Sequence, residues 1–279
     1  MRPLSLTTCF SGGLSLLALF SPVTAAAQGK KPALAIFDAA LAAFENQRIA
    51  LGDWQYHQTL ITHQMDSAGN IVARGIWQSI VRPGDPRPLE YTASRVEGKL
   101  SFFKAQTSSS ATPSGAKATK APEEKNQTES AVEAVRKYNL RDRYDWKRLP
   151  DGNVAGESAY VVSFEPKPRQ NTKSREERFF GLLAGRIWIS RSDYSVLKAE
   201  AALQSPCHLF WIIAQVTTFQ FIYNLEPSHG GPRLFRTSRA TAKTVVTFPL
   251  FAIRQQHWLT ADKFEPRSPR DVATRNPSL

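Results

Sequence analysis

Between Ala33 and Ala50 apolar residues recur every three or four positions, at Leu34, Phe37, Leu41 and Phe44, with alanine filling the gaps. That period predicts one amphipathic helix, closed by Gly52-Asp53. Beyond it the period drops to two. Trp54 to Gln64 alternates and is rich in aromatic and β-branched residues. Ser67 to Asn70 reads as a turn and Ile71 to Arg82 as a second strand. Pro83 to Pro88 punctuates, and Leu89 to Ser94 and Lys99 to Ala105 read as shorter strands. From Gln106 to Asn126 no large apolar residue occurs, which predicts a flexible insert. A short helix follows over Glu129 to Asn139, with Val132, Val135 and Leu140 as its apolar contacts.

The second half reads as strand after strand. Aromatic and charged residues alternate through Arg143 to Trp146, and Ala159 to Glu165 precedes a polar, basic loop over Pro166 to Arg178. Gly185 to Arg191 and Tyr194 to Gln204 form a predicted hairpin around Ser192-Asp193. Leu209 to Leu225, Arg233 to Phe248 and Phe251 to Lys263 complete the set, and the tail 266–279 reads as loose. Ten or eleven strands with short links predict an antiparallel sheet in an α+β domain spanning 28–265. Several strands are apolar on both faces, as at Ile71, Val72, Ile76, Trp77, Ile80 and Val81. Such a strand needs cover on both sides. A single curved sheet wrapped around the Ala33–Ala50 helix meets that need.

The first residues carry a different pattern. Arg2 precedes an uncharged apolar stretch from Cys9 to Phe20, then Pro22 and the small residues Val23 to Ala27. This is the layout of a secretory signal peptide, 1–27, cleaved after Ala25 or Ala27. Its apolar core is shorter than the roughly 20 residues a spanning helix needs, and Cys9 stands at the start of that stretch and not after it, so no lipid anchor is expected there. Leu209 to Leu225 includes Gln215, Gln220 and Asn224, so it reads as a strand and not a span. The expected location is the periplasm.

Charge narrows the partners. The chain carries a formal +12, and Arg2 is the one charged residue among the first 27, so the exported part carries +11. Such a surface favours an anionic membrane face; export argues against nucleic acid. Cys207 is the one cysteine outside the signal, so no internal disulfide forms and the apolar core must hold the domain. A monomer is expected. Asn126-Gln127-Thr128 matches the glycosylation triplet, a pattern that arises readily by chance.

Catalytic and metal signatures are missing from the sequence: it has no Gly-x-Ser-x-Gly, His-Glu-x-x-His, Cys-x-x-Cys or Gly-x-Gly-x-x-Gly. His57 and His63 would stand about 20 Å apart on one strand, too far to share a metal. His229-Gly230-Gly231 reads as a turn, and Glu123-Glu124 as a solvated charge run. No enzyme, metal or cofactor is expected. The aromatic residues say more. Trp54, Tyr56, Trp77, Ile80, Phe102, Trp188, Trp211, Phe219, Phe221 and Trp258 lie on predicted strands and are candidates to line an apolar cavity suited to acyl chains.

The order of elements resembles the LolA-like family of periplasmic lipoprotein carriers. The best local match is Gly156 to Lys167 (GESAYVVSFEPK), followed by Leu183-Ala-Gly-Arg-Ile-Trp-Ile-Ser190 and Tyr194 to Glu200. The resemblance implies an incomplete antiparallel barrel with helices over its mouth. It implies a non-catalytic carrier of a lipidated protein or lipid, or an envelope sensor or interaction module of the same fold. Ser190 stands where that family usually has Asp. No ligand-binding residue matches, so none is assigned from the resemblance.

Overall fold

The computed structural model describes residues 31–83, 85, 89–101, 131–168, 170–210, 214–226 and 236–267. The expected signal 1–27, the insert 106–126, and the tail beyond residue 267 lie outside the described residues.

Helix α1 spans Ala33–Ala50 and runs into a 3-10 turn, Leu51–Asp53. Strands β1 (Trp54–Met65), β2 (Ile71–Val81) and β3 (Leu89–Glu97) follow, then helices α2 (Ala131–Lys137) and α3 (Leu140–Arg143). Next come β4 (Tyr144–Arg148), β5 (Gly152–Val154), β6 (Glu157–Pro166), helix α4 (Arg175–Phe180), β7 (Leu183–Ser190) and β8 (Val196–Leu203). The chain continues through β9 (Cys207–Phe210), β10 (Ala214–Leu225), β11 (Ser238–Thr247) and β12 (Ala252–Pro266).

Among the described residues twelve strands make one antiparallel sheet, ordered β3-β2-β1-β12-β11-β10-β8-β7-β6-β4, with β5 on β6 and β9 on β10. The first and last strands of that order do not pair, so the curved sheet is an open, incomplete barrel with helices against it. The crossover from β1 to β12 joins the two halves of the chain through an eleven-pair ladder, Trp54↔Pro266 to Met65↔Arg254.

Several boundaries differ from the pattern. The span expected from Leu209 to Leu225 is two strands, because β9 folds back on β10 through Val216↔Cys207. Lys99 to Ser101 is not strand. The basic loop Pro166 to Arg178 ends in α4, whose first turn is capped by Ser174 accepting from the Glu177 amide at 3.0 Å. β12 runs through Pro266, and Arg267 is pinned where a loose tail was expected. Its guanidinium donates to both Asp85 oxygens at 2.8 and 2.9 Å, and its amide donates to the Asp53 carbonyl.

The buried stripe of α1 is also shifted. Ala33, Ile36, Phe37 and Ala40 are buried, Leu34 and Leu41 half-buried, and Phe44 is 39% exposed. The alanines let the helix axis come close to the sheet, and Ile36 and Phe37 fill the space between them. Ile36 and Ala40 share a core cluster with Val162 and Ile189, flanked by Trp146, Tyr160 and Ile187. Leu41, about 100° further round the helix per residue step, faces α2 instead.

Candidate ligand site on the inner face of the sheet

Side chains alternate across a sheet, and register partners share a face. Since α1 packs on Val162, Ile187 and Trp146, the inner face can be followed strand by strand through the ladders. One row runs Val162, Ile187, Ala199, Tyr223, Ala240, Leu259, Leu60, Trp77. Its neighbour runs Trp146, Phe164, Gly185, Ala201, Phe221, Ala242, His257, Thr62, Gly75. Both rows are apolar along most of their length, and in the middle of each two alanines flank one aromatic, Tyr223 in the first and Phe221 in the second.

Three pieces of chain cover this face. Over β4, β6 and β7 lies α1, with Phe37 stacked on Trp146 at 4.1 Å between ring centres. Over β10 lies α4, with Phe179 edge-on to Phe219 at 5.1 Å; both belong to a second cluster around Cys207, Ala214, Val216 and Val246. Tyr144 is buried, and its hydroxyl donates to the Phe180 carbonyl. Over the β1–β2 end lies the start of the link after β3. Ser101 donates its amide to the Gln64 side chain at 2.7 Å, and Gln255 donates to the Ser101 carbonyl at 2.7 Å. The Trp77 indole folds over Gly75, where any side chain would collide with it and with Leu100.

Between these covers Leu60, Leu259, Ala199, Ala201, Ala240, Ala242, Phe221 and Tyr223 are all half-buried. The middle of the inner face is thus an apolar floor with small side chains at its centre. Polar groups on it are few and partnered. Thr62 is fully buried and shares a hydrogen bond with His257 Nδ1 at 2.9 Å. Burial holds the His257 pKa below the ordinary value of 6.5, so the ring is neutral at pH 7. Burial likewise raises the Tyr223 hydroxyl, with Ser238 as its hydrogen-bond partner. Such a floor can bury hydrocarbon.

The candidate residues divide between faces. Tyr56, Trp77, Phe219 and Phe221 are on the inner face. Tyr56 is tilted against Phe264 at 5.1 Å, at the margin of the floor, and Trp54 opens β1 opposite Pro266. Ile80, Trp188 and Trp258 point to the outer face, in register with Glu90, Lys198 and Ile61 respectively. Lys198 Nζ sits 4.7 Å from the centre of the Trp188 ring, and His63 meets Trp258 edge-on at 4.8 Å. A single cavity therefore cannot be lined by the whole candidate set. Phe102 and Trp211 lie outside the described residues.

The large aromatics also drew attention away from what makes room. The floor's centre is built by Ala199 and Ala201, and by Ala240 and Ala242, at a spacing of two. Alanine is a poor strand former, so Lys-Ala-Glu-Ala (198–201) and Arg-Ala-Thr-Ala (239–242) were a readable sign of a face kept shallow.

Two other concavities lie off this floor. A cleft of about 620 Å³ separates α1 from α2 and α3, with Leu41, Val132 and Val135 below and the two-point Arg141–Asp38 ion pair at its rim. A smaller one of about 210 Å³ lies by the β5–β6 turn, beside Glu157 and Arg236. Among the described residues no three His, Cys, Asp or Glu side chains gather to hold a metal, and no helix is long and apolar enough to cross a membrane.

Comparison with known proteins returned no matching family model and no matching curated protein. Solved structures similar to this chain include a LolA superfamily protein from Nitrosomonas europaea, 14% identical with a TM-score of 0.30, the match covering 86% of this chain and 96% of that one. A DUF1329 family protein from Desulfovibrio piger is 12% identical with a TM-score of 0.32, over 85% and 94% of the two chains. A putative outer membrane lipoprotein-sorting protein domain from Vibrio parahaemolyticus is 12% identical with a TM-score of 0.29, over 84% and 96%.

Proposed function

We propose that the protein is a periplasmic binding or carrier protein for an acyl-bearing ligand, a lipid or a lipidated protein, and that it works without catalysis. The observation that carries this reading is the shallow, half-covered apolar floor between α1 and the β1–β2 end. Each methylene withdrawn from water onto such a floor contributes about 0.8 kcal/mol, so one acyl chain would be held firmly by area alone. Alanines at the centre leave depth for the chain. Phe221, Tyr223, Leu60 and Leu259 supply the walls. The resemblance in residues 156 to 200, and the export signal in the sequence, support the same reading and its location.

Native mass spectrometry of protein taken from its own periplasm tests the reading directly. Co-purified lipid or lipopeptide, and uptake of a fluorescent acyl probe, are expected. An empty protein that also fails to take up the probe would end the carrier reading.

A further inference from the structure

We propose that the tip of the β11–β12 hairpin is a membrane-docking element that dips into an anionic phospholipid surface. This deepens the carrier reading and rests on it only for a reason to visit a bilayer.

The tip is Phe248-Pro249-Leu250-Phe251, and Thr247 to Ala252 carries no charge. Leu250 is 95% exposed and Phe251 58% exposed, values that no folding argument accounts for. The tip is nonetheless ordered. The Phe248 amide donates to the Phe251 carbonyl at 2.8 Å, and the two rings stack at 4.5 Å with 14° between their planes. Pro249 has no amide donor to strip of water. An apolar tip that is already rigid loses little entropy on insertion.

The register adds a second apolar pair at the same end of the sheet. Met65 opposes both Arg254 and Ile71, so the start of β2 lies beside the start of β12. There Ile71 is 55% and Val72 52% exposed.

Charge fixes the occupant. Arg254 stands three residues behind Phe251, about 10 Å from the tip at strand rise. About two residues further back, Lys243 opposes Gln256, which opposes His63, which opposes Arg74, so two more cations share one cross-strand row. The acidic residues at this end are Asp66, bound into the β1–β2 turn by the Ala68 and Asn70 amides, and Glu97, opposite Arg74. An uncharged apolar point backed by cations, on a chain of formal charge +12, suits an anionic bilayer.

The test is co-sedimentation of the exported chain with vesicles of phosphatidylcholine, alone or mixed with phosphatidylglycerol. Binding to the mixed vesicles, weakened by salt, is expected. The variant Leu250→Asp should lose about tenfold or more in partition with an unchanged melting temperature, since that side chain is 95% exposed. Independently, an environment-sensitive dye on Leu250→Cys, with Cys207 buried and unreactive, should shift to the blue on mixed vesicles. Equal sedimentation of variant and parent, or an unmoved dye spectrum, overturns the proposal. So does a tip variant that breaks a dimer in size exclusion, which would make the tip a self-contact. Acyl-probe uptake separates the two readings. A parent chain that takes up the probe but binds no mixed vesicles removes docking alone, and one that binds them but takes up no probe removes the carrier reading alone.

Discussion

The packed end and the middle of one cross-strand row are built differently, although one continuous sheet supplies both. Under α1, the row presents Val162 and Ile187 to Ile36, and its neighbour presents Trp146 to Phe37; Ile36, Phe37 and Val162 are buried. A few strands on, the row passes through Ala199, Tyr223, Ala240 and Leu259, all half-buried. Large side chains interlocked with a helix make a core, where each void costs stability. Small, half-buried side chains make a floor, where added volume is tolerated because less is packed there to displace. Tight packing and half-buried small side chains thus occupy different stretches of a continuous sheet.

The largest expected effect probes the packed end. Ile36→Ala should cost about 2–5 kcal/mol in urea unfolding, the usual range for emptying a well-packed site. A loss under about 1 kcal/mol would mean that α1 is a loosely held cover rather than core. Next, a double-mutant cycle on Phe37→Leu and Trp146→Leu should return a coupling of about 0.5–1.5 kcal/mol beyond area burial. Zero coupling would dissolve the contrast between the packed end and the middle of the row.

Ala240→Leu probes the floor. It should change stability by no more than about 1 kcal/mol, well below the overpacking penalty of a filled core, while cutting uptake of an acyl probe. A heavy stability loss would show the floor to be packed, and unchanged uptake would move the ligand elsewhere. The smallest effect is the response to pH. Burial lowers the His257 pKa, and the His63 pKa is lowered by burial and by Arg74. The unfolded chain therefore binds protons that the folded chain does not. Stability is full above the unfolded value near 6.5 and declines as pH falls through it. His257→Asn should flatten that decline in thermal melts, leaving the part due to His63. A midpoint that rises on acidification would contradict the buried, neutral ring.

Much of the fold was legible in the chain. The change of period from 3.6 to 2 at Gly52-Asp53 marked α1 and β1 within a residue or two, and the hairpin around Ser192-Asp193 stands as β7 and β8. α4 was hidden because Pro166 to Arg178 is polar, and its cap and two acidic first-turn residues lie within that basic run. The stripe of α1 was misplaced because leucine spacing outweighed alanine, whereas close helix–sheet contact favours the small residue.

Which of the candidate site residues share a face was not legible. Two-sided apolar strands announced that both faces of the sheet would need cover. Which aromatic faced which way depended on registers such as Leu60↔Leu259 and Trp188↔Lys198, and on the bulge between Val216 and Thr218, where one extra residue reverses the parity of everything beyond it. By itself the sequence determined the elements, the antiparallel sheet and the apolar surplus, because periodicity and turn chemistry are local. Only the tertiary structure decided that β1 pairs with β12, that Ile80, Trp188 and Trp258 face outward, and that alanines floor the middle of the inner face. Those outcomes depend on pairings between residues up to some two hundred positions apart, which no local pattern encodes.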